Sequence, residues 1–300
     1  MSIYDICCVG HITSDKVVTT RSVVHMAGGT SIYFSNAIHN MDLNYVLVTA
    51  LGRPEMKIVS DLRAKGIEVK LLPSEHTVYF ENIYSDNQDY RTQRVLQKAD
   101  PFTVEQLLDI DSKIFHLGPL LADDMPVELI KALSARSVVS LDVQGYLRKV
   151  LDKKVCAIDW HAKKEALRYV DILKASRSEM EVLTGYEDVR RGARVLSDWG
   201  VKDVVITLGS MGSVIYKEGI FYDIPAYTPD GSVVDSTGCG DTYMAGYLYQ
   251  RLKGAEPQDA GEFAAGMATL KIESSGPFTG TEEDILALLN SCKKKTFSLA

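Results

Sequence analysis

The sequence predicts an α/β fold: a doubly wound, mostly parallel sheet with helices on both faces, and a small β-lid. Two observations carry this. Near-continuous apolar runs recur at 3–9, 45–51, 67–71, 114–117, 138–143, 172–173 and 204–207, most of them separated by helix-like stretches such as 126–135 and 162–169. Two stretches, 16–26 and 77–96, break that alternation with β-branched and aromatic residues, and the second turns through an Asp/Asn segment at 85–89. They read as hairpin-like strands, either a lid over a substrate or edge strands of the main sheet.

The first element follows directly from the N-terminus, where Ile3-Tyr4-Asp5-Ile6-Cys7-Cys8-Val9 reads as a strand with no basic flank and no apolar run of membrane-spanning length. No repeat or Pro/Gly-rich linker divides the 300 residues, so a single domain over 1–300 is expected. A formal charge of −7 argues against nucleic acid or an anionic membrane as main partner. The Lys293-Lys294-Lys295 run reads as a solvated tail. Five cysteines without Cys-x-x-Cys spacing fit neither a disulfide framework nor a structural zinc site, and a cytoplasmic location is expected.

Polar residues after strand one emerge where ligands bind in such sheets, and Asp15 can accept two hydroxyl hydrogen bonds there or satisfy its own turn. His11 reads as a structural turn residue rather than a base. Gly28-Gly29 precede a helix capped by Thr30 or Ser31. Ser176-x-x-Glu179 has the spacing of a capping box. Val204 to Tyr216 places Gly209 and Gly212 in a turn between two strands, which is not a dinucleotide fingerprint; no Walker loop is present either. The small residues of 264–270 suit a purine resting on a helix, or close helix packing.

The most informative stretch comes late. Two valines run into Asp235-Ser236-Thr237-Gly238-Cys239-Gly240-Asp241, and an apolar pattern with helical spacing follows, so a helix is expected to begin near Cys239. Glycines at a helix N-terminus admit an anion to the backbone amides, with phosphate the natural candidate. Asp241 complements the helix dipole or serves as a general base toward an attacking hydroxyl. Cys239, at the same N-terminus, is expected either to fill space or to carry a lowered thiol pKa and act as an oxidisable brake.

The 235–241 string, followed by an aromatic residue and Ala-Gly, closely resembles the Asp-Thr-x-Gly-Ala-Gly-Asp signature of the ribokinase-like (PfkB) carbohydrate kinases. The resemblance implies a lid at 16–26 and 77–96, ATP and Mg2+ as donor and metal, Asp241 as general base, and Gly238, Cys239 and Gly240 as anion hole. It implies that Asp15, Gly28, Gly29 and Asn36 contact the acceptor, although aromatics stand here where ribokinases place an Asn soon after the glycines. Glu179 matches a residue that governs magnesium, through water; Ser176 replaces that segment's usual Asn. Ser176, Thr207, Gly209, Gly212 and Gly276 fall at the nucleotide site by resemblance, and Gly276 with Asp235 and Thr237 frames a monovalent-cation site for K+. Residues 28–36, Arg94-Val95-Leu96, Asp142-Val143-Gln144 and 173–176 look like the plant-type myo-inositol kinase branch, which makes a polyol the expected acceptor and Arg94 one of its contacts. Another sugar or nucleoside kinase, or a non-catalytic sugar or nucleotide sensor, is the alternative. An exposed lid edge in this family pairs two subunits, so a homodimer is compatible.

Overall fold

The computed structural model describes residues 3–19, 22–84, 91–229 and 231–298. The chain forms two compact units, Met1–Ile32 with Asn44–Val170, and Tyr33–Leu43 with Asp171–Ala300.

In the first unit, β1 (Tyr4–Val9), β2 (Thr13–Val18) and β3 (Val23–Gly28) lead to α1 (Thr30–His39), whose later residues belong to the second unit. Next come β4 (Tyr45–Leu51), α2 (Met56–Ala64), β5 (Glu68–Pro73), β6 (Val78–Tyr84), β7 (Arg91–Gln97) and β8 (Ser112–Leu117). The unit ends with α3 (Val127–Ser134), β9 (Val138–Asp142), β10 (Arg148–Leu151), β11 (Lys154–Ala157) and α4 (Lys163–Ala166). Its main sheet runs β9-β8-β1-β4-β5, all parallel. Ile6, Cys7, Cys8 and Val9 are all fully buried although they alternate faces, which explains the unbroken apolar runs in the sequence.

A second sheet in this unit has the order β10-β11-β7-β6-β2-β3. It gathers both stretches that broke the alternation; the turn expected at 85–89 lies outside the described residues. The β10–β11 hairpin was not anticipated. Its turn holds Asp152 at φ 47 and Lys153 at φ 65, a left-handed pair without the Asn-Gly or Asp-Gly that announces such turns.

The second unit contains β12 (Ile172–Ser176), α5 (Arg177–Thr184), α6 (Val189–Asp198), β13 (Asp203–Thr207), β14 (Ser213–Lys217) and β15 (Ile220–Ile224), followed by α7 (Cys239–Leu252), α8 (Pro257–Ile272) and α9 (Glu282–Ser298). β12 and β13 are parallel, and β13, β14 and β15 form an antiparallel meander. The 293–295 lysine run, expected as a tail, lies in the backbone of α9. α7 packs closely on α8: a Cβ on Gly246 would lie 3.0 Å from Met267 Sδ and 3.1 Å from Ala264 Cα. The small residues of 264–270 therefore serve helix packing. Among the described residues no helix is long and apolar enough to cross a membrane.

Asp203 fixes α7 to the strands. Its carboxylate accepts from Tyr247 Oη at 3.0 Å and Arg251 Nε at 3.1 Å, and faces Lys217 Nζ at 3.1 Å. Removing it would strand two cations in a buried setting. Asp203→Ala is expected to cost about 3–5 kcal/mol of unfolding free energy, read as a lowered urea midpoint. A midpoint within error of the parent would refute that anchoring role.

Candidate active site

The loop into α7 is shaped by its own polar groups. Asp235 Oδ1 accepts from the Thr237 amide at 2.9 Å, and the Val234 amide donates to the Ile272 carbonyl at 2.8 Å, tying the loop to the end of α8. Gly238 then sits at φ 76, where an L side chain is strained, and a Cβ there would overlap the Tyr33 ring. Only glycine can make this turn. α7 begins at Cys239 with no side chain capping its N-terminus and with Asp241 in its first turn, as the sequence predicted.

Beside that terminus stands a cation that sequence reasoning missed. Lys174, buried on β12, brings Nζ to 3.3 Å from where a Cβ on Gly240 would be. The same ammonium lies 3.9 Å from Glu179 Oε2. Glu179 in turn accepts from the Ser176 amide at 2.6 Å, while Ser176 Oγ accepts from the Glu179 amide at 3.3 Å, closing the expected capping box at the start of α5. The signal for Lys174 was available: a lysine in the middle of a strand whose neighbours are all buried.

An open cleft of about 380 Å³ adjoins this corner, lined by Ser176, Arg177, Ser178, Glu181, Thr207, Leu208 and Gly209. Three of the expected nucleotide residues thus line one cleft. Gly212 does not line it; a side chain there would collide with the Ile224 carbonyl, so its glycine is required by strand packing. Gly276 is absent from the lining too, and its amide is one of the groups that hold the Asp235 carboxyl below the usual range.

Of the two readings of Cys239, the structure supports the space-filler and not the reactive thiol. Burial pushes its thiol up to about 11, with Asp235 and Asp241 adding to the rise and Lys271 opposing it, and Sγ rests 3.9 Å from the Ala268 carbonyl. The dipole of α7 does not offset the lost hydration. Because only the thiolate reacts, alkylation of Cys239 should be slow at pH 8, where roughly one thiol in a thousand is ionised, and accelerate as pH climbs toward 11. Mass-spectrometric labelling rates across that range check this; rapid labelling at pH 7 would overturn it.

In the first unit, β2 and β3 place Thr13 opposite Gly28 and Asp15 opposite Met26. A Cβ on Gly28 would press on the Asp15 carboxylate and on Thr13 Oγ1, so glycine is needed for these polar groups to crowd the backbone. Thr13 Oγ1 is buried without a hydrogen-bond partner among the described residues. His11 is held at Nε2 by the Asp100 carbonyl at 3.0 Å, with its ring 4.4 Å from Phe102, and is structural as expected. Asn36 is buried in α1, within the second unit.

Sheet register corrects one expectation here. Asp15 pairs with Phe80 and Phe80 with Val95, whereas Lys16 pairs with Glu81 and Glu81 with Arg94. Paired residues share a face, so Arg94 and Asp15 point to opposite faces of the second sheet. Arg94 is spent on an ion pair with Glu81 at 2.9 Å, and the Lys16 hydrogen bond, with help from Arg94, holds Glu81 below the usual carboxylate range. On the face of Asp15 stand instead Asn82 and Gln93, joined by a 2.9 Å amide hydrogen bond and missed in the sequence.

The groups implied by resemblance fit unequally. Magnesium is commonly held by one or two carboxylates plus phosphate oxygens, and Glu179 beside the cleft suits that role through water. The cleft has space over Gly209, where a Cβ would meet nothing within 4 Å, for part of a nucleotide. A monovalent cation does not fit. Asp235 O is already bonded to Lys271 Nζ at 2.7 Å, and Asp235 Oδ2 is 3.5 Å from it.

A bare helix N-terminus, a first-turn carboxylate and an adjacent ammonium are the parts of a phosphoryl-transfer site. Comparison with known proteins identifies its family. The profile described as pfkB family carbohydrate kinase matches residues 3–284, and the chain belongs to that family. It is 27% identical over 255 residues to cytidine kinase of Thermococcus kodakarensis, covering 81% of this chain and 87% of that one. It is 24% identical over 280 residues to inositol 3-kinase of Arabidopsis thaliana, covering 89% and 74%. Among solved structures, a pyrophosphate-dependent kinase of the ribokinase family complexed with a pyrophosphate analog and myo-inositol superimposes with a TM-score of 0.85 at 30% identity, over 94% of this chain and 99% of that one. The chain is a sugar or nucleoside kinase of the ribokinase family, a phosphotransferase with an alcohol group as acceptor, and its fold is the ribokinase-type α/β fold.

Proposed function

We propose that this kinase phosphorylates a hydroxyl of a small cyclic polyol, myo-inositol in the first instance, with Asp241 as general base. The observation that carries the reading is the N-terminus of α7: amides 238–240 uncapped by any side chain, Asp241 in the first turn, and the Lys174 ammonium against Gly240. Asp241 takes the proton of the attacking hydroxyl, which raises its nucleophilicity as the bond to phosphorus forms. The amides and Lys174 bear on the charge of the transferring group, an arrangement already in place before reaction. Magnesium, when bound through Glu179 and water, supplies further charge neutralisation at the phosphates.

The acceptor's hydroxyls would be held by Asp15, by the unpartnered Thr13 hydroxyl and by the Asn82–Gln93 amide pair, all on one face of the second sheet. A site built from such groups penalises acceptors that leave them unsatisfied. We assign that sheet the part of a lid, which keeps water from competing as nucleophile. Asn36 and the Gly28-Gly29 backbone complete the proposed acceptor contacts. ATP is the proposed donor, with Thr207, Gly209 and Ser176 lining its cleft.

A second donor, pyrophosphate, is supported by the cleft's lining, in which Leu208 is the only aliphatic side chain and Arg177 and two serines offer donors to a small anion. The solved relative at 30% identity is pyrophosphate-dependent.

Two measurements test the reading. In assays with magnesium and either ATP or pyrophosphate over myo-inositol, ribose, fructose and nucleosides, turnover is expected to be greatest with myo-inositol. Asp241→Asn is expected to lower kcat by about a hundred- to ten-thousand-fold with its fold intact. Preference for a nucleoside would overturn the polyol assignment, and full activity in Asp241→Asn would overturn the base. Asp15→Asn is expected to raise the acceptor KM by about tenfold or more while donor KM stays constant. An unchanged acceptor KM would remove Asp15 from the site.

A further inference from the structure

Lys271 is a lysine with no solvent exposure, on α8, one residue before the carbonyl that anchors the site loop. Its signal in the sequence is a lone cation in the run Met267-Ala268-Thr269-Leu270-Lys271-Ile272. A buried ammonium is tolerated only when fully paired. Its partners all belong to the machinery beneath the anion-binding turn. Nζ donates to the Asp235 carbonyl at 2.7 Å, lies 3.5 Å from Asp235 Oδ2, and is 5.9 Å from the centroid of Tyr33, the ring that Gly238 rests upon.

Asp235 is drawn in from every side. Burial alone would raise its pKa, but the Thr237 amide and hydroxyl, the Lys271 charge and the Gly276 amide together hold it below the usual carboxylate range. Its carboxylate thus stays ionised next to a phosphate site, and the counter-charge is the ammonium. The same carbonyl and carboxylate oxygens are those through which Asp235 could ligate a monovalent cation. A second unit charge on them would stand within a few ångströms of Nζ, which itself has no solvent exposure, and like charges at that range repel. An ammonium resembles potassium in charge and in its preference for carbonyl and carboxylate oxygens, and differs in being covalently tethered.

We propose that Lys271 is a built-in cation that positions the 235–241 loop, so that the enzyme works without potassium or any other monovalent ion. The inference rests on the kinase reading for its purpose. Lys271 does not touch the reacting atoms; it is a positioning residue, acting through Asp235 and the backbone of the turn.

The test compares the full chain with Lys271→Gln in tetramethylammonium buffer, to which K+, NH4+ or Na+ is added, reading both thermal midpoint and turnover. For the parent, neither should change with K+ beyond what Na+ produces through ionic strength. For Lys271→Gln, turnover should fall by about tenfold or more in tetramethylammonium and recover in part with K+ or NH4+, whose binding should also raise the midpoint of this variant alone. Activation or stabilisation of the parent specific to K+ would overturn the inference. So would a Lys271→Gln variant whose midpoint and turnover ignore both K+ and NH4+. Should Lys271→Gln fail to fold, the parent's titration decides by itself. The thermal arm uses no substrate, so it stands even if the acceptor or donor assigned above is wrong.

Discussion

The left-handed turn at Gly238 is the constraint on which the rest of the site depends. It lets the chain pass over the Tyr33 ring and enter α7 without a side-chain cap, and no side chain could be carried through that position. A turn of this kind is rigid only if both of its ends are held. The upstream end is held by the Val234 amide on the Ile272 carbonyl and by the Asp235–Thr237 bond. The downstream end is held two to three turns along α7, where Tyr247 and Arg251 meet Asp203. The backbone of this turn therefore owes its shape to contacts well outside it, which is what preorganisation means in physical terms.

Charge is distributed on the same plan. The chain is acidic overall, yet the second unit buries two ammonium groups, Lys174 and Lys271, at the loop and strand that would meet phosphate. Each lies near one carboxylate, Glu179 and Asp235 respectively. Neither carboxylate is left as a bare negative charge at this corner of the unit. The capping box adds economy of parts: Glu179 caps the start of α5, faces Lys174 and holds Ser176, which lines the cleft.

Much of this was legible in the sequence, and for identifiable reasons. Unbroken apolar strands announced a sheet buried on both faces, and the 235–241 string announced the helix start. Ser176-x-x-Glu179 announced its own hydrogen bonds. What escaped depended on register or on long-range neighbours. Arg94 was grouped with Asp15 on resemblance, and the phase between strands, which decides who shares a face, is not read from one strand's sequence. Lys174 and Lys271 were passed over because apolar context was read as core, although a lysine in such context requires a partner. Of the two readings of Cys239, the lowered thiol pKa fails because a helix dipole can be read from position, whereas desolvation depends on what α8 brings against it. The β10–β11 turn used Asp-Lys in a conformation that ordinarily selects glycine or asparagine.

The paired amides of Asn82 and Gln93 carry a consequence for how such a protein diversifies. A carboxamide can rotate end for end without changing its outline, exchanging a donor for an acceptor. Two of them bonded together can reverse in concert and remain satisfied, presenting the opposite polarity to whatever hydroxyl lies against them. A lineage carrying this pair could thus move from one stereochemical pattern of hydroxyl groups to another by side-chain rotation or a single exchange, while the costly backbone of the phosphoryl site stays untouched.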